Sequence, residues 1–144
     1  MHATRSLTLE LLPDRFAVCR LAPDSPVPPR PAQASLWSVT CTAGELSIVL
    51  PEECAPPKWQ AEKDWRCLQV AGPLAFELVG ILASLLTPLA AAGISVFTLS
   101  TYDTDYILLP SRHLEQAIDA LVTAGHTVRG YASPRSPTGE RQER

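Results

Sequence analysis

Residues 93–110 read GISVFTLSTYDTDYILLP, and this stretch decides the fold. Two runs rich in β-branched and aromatic residues flank the polar loop Asp103–Asp105, a pattern that predicts a β-hairpin. Short oxygen-bearing side chains suit such a loop because they can bond nearby backbone N–H groups. The first run has apolar residues on both faces, so we expect a central strand that is covered, at least in part, on both sides.

A helix is predicted before the hairpin. Pro is favourable at a first helical position, so Gly72-Pro73 is expected to lead into a helix over Leu74–Ala92. Gly93 stands where that helix should end. Pro88 would add a kink or a ragged last turn.

A second helix is predicted after the hairpin. Ser111 is the candidate N-cap, apolar residues then recur at helical spacing over Leu114–Val122, and Gly125 ends the helix. Strand-like runs at 66–71 and 126–131 enclose the whole. Residues 66–131 therefore predict the order β-α-β-β-α-β, a ferredoxin-like α+β unit.

The first half of the chain is predicted to be mostly β. Runs at 6–12 and 15–21 are separated by the turn signal Pro13-Asp14, and runs at 36–42 and 45–50 form a hairpin across Ala43-Gly44. The proline-rich loop 23–31 lies where the second half has its first helix. Segment 51–63 is expected to be irregular, with room for one helical turn.

The order of elements makes this half resemble a degenerate copy of the second half. We expect a degenerate unit over residues 1–64, a complete unit over 65–131 and a disordered tail over 132–144, with the two sheets side by side.

Composition bounds the function. The 144 residues suffice for one domain or two very small ones, and the formal net charge of −3 gives no electrostatic case for binding nucleic acid or an anionic membrane. Residues 78–102 carry no charge, but Gly93 interrupts them, so we expect a helix buried against its sheet and a second domain or subunit instead of a membrane span. The four cysteines form no C-x-x-C pair, which favours free thiols in a cytoplasmic protein.

The motifs Gly72-Pro73, Ala92–Ser95 and Ser100–Asp105, in this order of elements, resemble an ACT domain. The likeness is closest to small bacterial tandem ACT-like proteins related to the aspartokinase regulatory region and to the CASTOR arginine sensors. It covers the second half of the chain well and the first half poorly.

The resemblance implies a ligand site. ACT domains commonly bind an amino acid where the loop after the first strand meets the second strand of a neighbouring unit. Here glycine would allow close backbone approach, and the helix start would present N–H groups to a carboxylate. The implied ligand-binding residues are Gly72, Pro73, Leu74, Ile94, Ser100, Thr101, Tyr102, Asp103 and Asp105.

Purely structural roles stay open for each of these residues. Gly72-Pro73 could be only a tight turn, and Tyr102 could only cover the hairpin. Asp103, at the middle of the hairpin loop, is the better candidate for capping the turn. Asp105 begins a strand, where Asp is disfavoured, so it is the better candidate for contacting a ligand. Two carboxylates could also hold a divalent cation, but without further ligands nearby we favour turn capping.

No nucleophile elbow, P-loop or metalloprotease motif occurs, so we expect no enzyme and no catalytic residue. The predicted function is non-catalytic, regulatory binding of an amino acid, with no cofactor. The alternative is an ACT interaction module that has lost its ligand. Because the first helix and the hairpin offer apolar surface on several sides, we expect a homodimer, and a partner enzyme would be the target of regulation.

Overall fold

The computed structural model describes residues 6–72, 74 and 79–130. Across these residues the chain is α+β, with eight strands in one sheet and two α-helices. The strands are β1 Thr8–Leu11, β2 Phe16–Leu21, β3 Ser38–Cys41, β4 Leu46–Pro51, β5 Gln60–Val70, β6 Phe97–Ser100, β7 Asp105–Pro110 and β8 Thr127–Arg129. The helices are α1 Ile81–Ala91 and α2 Leu114–Thr123, and single 3₁₀ turns occur at Glu52–Cys54 and Ser111–His113.

The second half confirms the predicted ferredoxin-like order, because β5, α1, β6, β7, α2 and β8 follow one another along the chain. One strand from the first half enters this unit. β1 pairs with β5 on one side and, in parallel, with β8 on the other. It therefore separates β5 from β8 in the sheet.

The long strand β5 is shared by both halves. On one edge it pairs with β7, and on the other it pairs first with β2 and then with β1. The predicted hairpin of the first half is confirmed as β3 and β4, which extend the sheet beyond β2. The boundary predicted between residues 64 and 65 falls inside β5, so both halves use this strand. The division into domains stays a prediction.

Two expectations for the sheet are wrong. Among the described residues, β6 pairs with β7 alone, so it is an edge strand and not a central one. The chain also does not reverse at Pro13-Asp14: β1 and β2 run in the same direction along β5, with a break between them. Segment 51–63 is less irregular than expected, because β5 already begins at Gln60.

Both helices begin later than predicted. The first described helical residue of α1 is Ile81, because Leu74 is drawn into a bond with the hairpin loop and Gly80 has a left-handed φ of 80°. Pro88 remains inside the helix. Ser111 does not cap α2. Its hydroxyl accepts a hydrogen bond from Arg15 instead, and α2 follows the 3₁₀ turn.

The two faces of the sheet are covered differently. Both helices pack on one face over a core that includes the fully buried residues Leu68, Leu85 and Ile107. Side chains alternate along strands, so Leu108 and its neighbours lie on the opposite face. Large residues on that face are only partly buried in the described chain: Val18, Leu36, Trp65, Phe97, Leu99 and Tyr106. We call this surface the open face.

All four cysteines are free thiols, and no group of residues able to hold a metal ion occurs in the described ranges. No helix within those ranges is both long and apolar enough to cross a membrane. The tail over 132–144, Pro73 and the predicted helical residues 75–78 lie outside the described residues.

Candidate functional site

A pocket of about 390 Å³ opens where the loop between β6 and β7 meets the N-terminus of α1. This volume lies within the range of small-molecule sites. The lining residues are Leu74, Gly80, Ile81, Leu82, Ser100, Thr101, Tyr102, Asp103, Thr104 and Asp105.

Thr101 and Thr104 close the hairpin loop upon itself. The Thr101 N–H donates to the Thr104 carbonyl at 2.8 Å, and the Thr104 N–H donates to the Thr101 hydroxyl at 3.3 Å. The turn is therefore capped by a threonine. The expectation that the Asp103 side chain caps it is wrong, because the Asp103 carboxylate makes no hydrogen bond or ion pair with the described residues.

Thr104 also fixes the loop to β5. Its side chain is only 4% exposed, and its hydroxyl donates to the Val70 carbonyl at 2.6 Å. The paired register of β5 and β7 ends one step earlier, at Gln69 and Tyr106. The hydroxyl thus satisfies a buried carbonyl at the point where β7 leaves β5.

The segment after β5 packs closely on the same loop. The Leu74 N–H donates to the Asp103 carbonyl at 2.7 Å. A Cβ added at Gly72 would lie 3.2 Å from the Asp103 carbonyl oxygen and 3.3 Å from the Thr104 Cβ. Glycine at position 72 therefore allows a close approach of the two backbones that a Cβ could reach only if its neighbours shifted.

The two carboxylates of the pocket differ in their hydrogen bonding. Asp105 lies opposite Ser100 across the β6–β7 ladder and accepts a hydrogen bond from its hydroxyl at 2.6 Å. Asp103 is exposed and has no such partner among the described residues. Its charge nevertheless acts on Tyr106: burial raises the pKa of that phenol, and the Cys67 and Asp103 side chains raise it further.

The N-terminus of α1 forms the other wall. Gly80 occupies the N-cap position, and none of the described side chains caps the helix. The first N–H groups of a helix have no intrahelical partner, and the helix dipole gives this end partial positive character. Since Gly80, Ile81 and Leu82 line the pocket, its two walls carry opposite electrostatic character.

Most of the residues predicted for the site come together. Leu74 and the hairpin residues Ser100–Asp103 and Asp105 line the pocket. Gly72 does not line it but packs against the hairpin loop at Asp103 and Thr104. Ile94 does not line the pocket. It is 5% exposed and belongs to the core under the helices. Its N–H donates to the Leu89 carbonyl at the C-terminus of α1, which keeps Ile94 close to that helix. Pro73 lies outside the described residues.

Four lining residues were missed: Gly80, Ile81, Leu82 and Thr104. The first three were assigned to the interior of a helix that begins later than predicted. Gly80 was the available signal, since glycine in a helix interior costs about 1 kcal/mol relative to alanine. The sequence marks Thr104 only as a loop residue, because its bond to Val70 joins positions 34 residues apart.

Comparison with known proteins identifies the fold. The family model of the ACT domain matches residues 60–123, from β5 to the end of α2, and a model of an N-terminal domain matches residues 14–59. The crystal structure of a protein from Agobacterium tumefaciens has 33% sequence identity and a TM-score of 0.80, over 86% of this chain and 92% of that one. The chain belongs to the ACT-domain family.

One further relative of this ACT-domain protein, and one solved structure of the same fold, have regulatory names. The human "cytosolic arginine sensor for mTORC1 subunit 1" is 30% identical over 102 residues, which cover 65% of this chain and 31% of the human protein. The chain thus spans less than a third of the length of that relative. The regulatory subunit of aspartate kinase from Thermus thermophilus shares the fold, with a TM-score of 0.53 at 12% identity, over 85% of this chain and 99% of that one.

Proposed function

We propose that this ACT-domain protein is a non-catalytic regulatory protein that binds an amino acid in the pocket between α1 and the β6–β7 loop. The observation that carries the proposal is the Asp103 carboxylate. It lines the pocket without a hydrogen bond or ion pair to the described residues, and no Lys, Arg or His is among the lining residues that the structure describes.

Charge complementarity favours a basic amino acid. The pocket has two carboxylates on the hairpin side and, on the other side, the N-terminus of α1, which no side chain in the described part of the chain caps. A carboxylate is stabilised beside a helix N-terminus, and an ammonium or guanidinium group is stabilised beside a carboxylate. We therefore infer that the ligand's α-carboxylate faces α1 and that its cationic groups face Asp103 and Asp105.

The relatives support the same direction. One is named an arginine sensor, and a protein of the same fold is named a regulatory subunit of aspartate kinase. The chain contains no catalytic constellation known from sequence motifs, so regulation would act through a partner enzyme or through the oligomeric state. We also propose a cytoplasmic location, because the human relative is named a cytosolic sensor.

A thermal-shift series over the twenty amino acids, with citrulline added, tests this proposal. Citrulline has nearly the shape of arginine but no side-chain charge. A ligand that binds only the folded state stabilises it by RT ln(1 + [L]/Kd), about 2.7 kcal/mol at a hundredfold excess over Kd. We expect arginine or lysine to raise the melting temperature and citrulline to have much less effect. No shift with any amino acid at millimolar concentration would contradict the proposal.

A second candidate function is a ligand-free interaction module, and the open face favours it. Trp65 and Phe97 contact each other there, with ring centroids 6.5 Å apart, and both are only partly buried. Contiguous apolar surface on a monomer commonly marks an interface. We propose that a second copy of the chain covers this face, giving a homodimer that either function would use.

Light scattering at tens of micromolar tests the dimer. Phe97→Glu should convert a dimer into a monomer, because an unpaired charge in an apolar interface is costly to desolvate. Val122→Glu is the matched control, because Val122 is 52% exposed and lies on α2, away from the open face. A monomeric wild-type protein, or equal masses for wild type and Phe97→Glu, would contradict this arrangement.

A further inference from the structure

A second polar cluster lies at the other end of β7 from the pocket. Arg66 of β5 is the central residue of this cluster. Two strands pair with the same edge of β5, one on each side of Arg66. Pairing on the β1 side ends where the Leu12 N–H donates to the Cys67 carbonyl at 2.9 Å. Pairing with β2 begins at Phe16, which lies opposite Trp65. Arg66 is therefore the single β5 residue that faces the break over residues 13–15 between β1 and β2.

Arg15, in this break, has partners. Its guanidinium donates to the Asp64 carboxylate at 3.2 Å and to the Ser111 hydroxyl at 2.5 Å. The Arg15 side chain is nevertheless 50% exposed, so solutes can reach it. Ser111 directly follows the last residue of β7, which brings the 3₁₀ turn before α2 to the same cluster.

Arg66 lacks such partners. No carboxylate among the described residues lies within ion-pair distance of it, and its Nη2 makes only a long bond of 3.4 Å to the Leu12 carbonyl. Its Nε is buried and has no hydrogen-bond partner in the described chain. Buried donors in native proteins are nearly always satisfied, so the Arg66 guanidinium makes fewer hydrogen bonds to the described residues than is usual.

The electrostatics of the cluster are unfavourable in the protein alone. Burial lowers the pKa of Arg66, and the positive charge of Arg15 lowers it further. An arginine nevertheless stays protonated in proteins, so the charge must be tolerated or neutralised. Asp64 neutralises Arg15 and contacts no other cation in the described residues. Within the described ranges, one positive charge of the pair is left without a counterion.

We propose that Arg66 and Arg15 together bind a small oxyanion, either a carboxylate or a phosphate group. A guanidinium presents its N–H donors in a planar fork that matches two oxygens of such a group. The oxyanion would accept hydrogen bonds from the terminal N–H groups of Arg66, because this side chain is only partly buried although its Nε is out of reach. The Ser111 hydroxyl would remain on Arg15. The site does not rest on the amino acid pocket, because that pocket lies at the Asp105 end of β7 and this cluster lies beyond Pro110.

The test is a thermal-shift measurement with 10 mM sodium phosphate, and separately with sodium acetate, each against sodium chloride of the same ionic strength. We expect at least one of the two anions to raise the wild-type melting temperature by about 2 °C or more. Arg66→Gln should abolish the shift. Arg20→Gln is the matched control and should keep it, because Arg20 is exposed and bonds the Gly44 carbonyl in the first half.

A second readout separates binding from a merely structural role. In chloride alone, Arg66→Gln should be at least as stable as wild type, because it removes an unneutralised charge beside Arg15. A structural role predicts a loss of stability in every buffer. If Arg66→Gln fails to fold, the structural role is supported and the proposal is wrong. Equal shifts in wild type and Arg66→Gln, or no shift with either anion, would also overturn it.

The two anions distinguish the source of the oxyanion. A shift with phosphate and not with acetate would assign the site to a phosphate-bearing ligand. A shift with acetate of equal size would assign it to a carboxylate. Arg66→Lys keeps the charge and loses the fork, so it should bind the same anion at least severalfold more weakly than wild type.

Discussion

Thr104→Val removes the hydroxyl that joins the pocket loop to β5. Valine keeps the shape of the side chain, so no cavity is created. The Val70 carbonyl, which accepts the hydroxyl at 2.6 Å, would be left without that donor in a region where Thr104 is only 4% exposed. Leaving a buried acceptor unsatisfied costs about 1–3 kcal/mol. We expect the free energy of unfolding to fall by that amount.

Urea unfolding followed by circular dichroism measures this change. Thr98→Val is the matched control, because the Thr98 hydroxyl on β6 makes no hydrogen bond with the described residues. Thr98 is only partly buried and loses no hydrogen bond to the described residues, so we expect its substitution to change stability by about 0.5 kcal/mol or less. If Thr104→Val also changed stability by less than about 0.5 kcal/mol, the claim that this hydroxyl anchors the pocket loop to β5 would be refuted.

Other perturbations give equally definite expectations. Gly72→Ala should destabilise by about 1 kcal/mol in urea unfolding, because overpacking against the bonded Asp103 carbonyl outweighs the entropic gain of about 0.4–1 kcal/mol. Gly44→Ala should not destabilise, since its nearest neighbour would be 3.9 Å away; equal losses would disprove this reasoning. Burial raises the pKa of Cys67 to about 12, so a thiol reagent at pH 8 should label the exposed cysteines and spare Cys67 until the protein unfolds. The stability that the neutral Cys67 thiol contributes is present below about pH 9 and is lost as the pH rises towards 12, so Cys67→Ala should flatten the alkaline decline in the free energy of unfolding.

Local sequence patterns predicted the elements that depend on neighbours along the chain. The hairpin at β6 and β7 follows from two β-rich runs around a polar loop, and α2 follows from helical spacing between Leu114 and Val122. Most residues of the pocket were found for the same reason, because they belong to one short loop. Six of the predicted positions, from Leu74 to Asp105, line it.

Contacts between distant segments account for what was not predicted. No local pattern shows that β1 would enter the sheet between β5 and β8, since its partners lie at the far end of the chain. The late start of α1 has a similar cause: the Leu74 N–H is used by the Asp103 carbonyl, 29 residues further on. The sequence already favours a bond between Thr101 and the local backbone, and the structure has that bond. It ranks Asp103 first as the turn cap because Asp103 carries an equally suitable side chain, and only the geometry distinguishes the two.

The central claim is that the Asp103 side of the pocket binds the cationic group of an amino acid. Isothermal titration of arginine, lysine and citrulline into wild type, Asp103→Asn and Asp24→Asn tests it most directly. Asp24 is an exposed carboxylate in the proline-rich loop and serves as the control. We expect a basic amino acid to bind wild type and Asp24→Asn alike, and to bind Asp103→Asn at least tenfold more weakly, a change of about 1.4 kcal/mol. Unchanged affinity in Asp103→Asn, or tighter binding of citrulline than of arginine, would contradict the account.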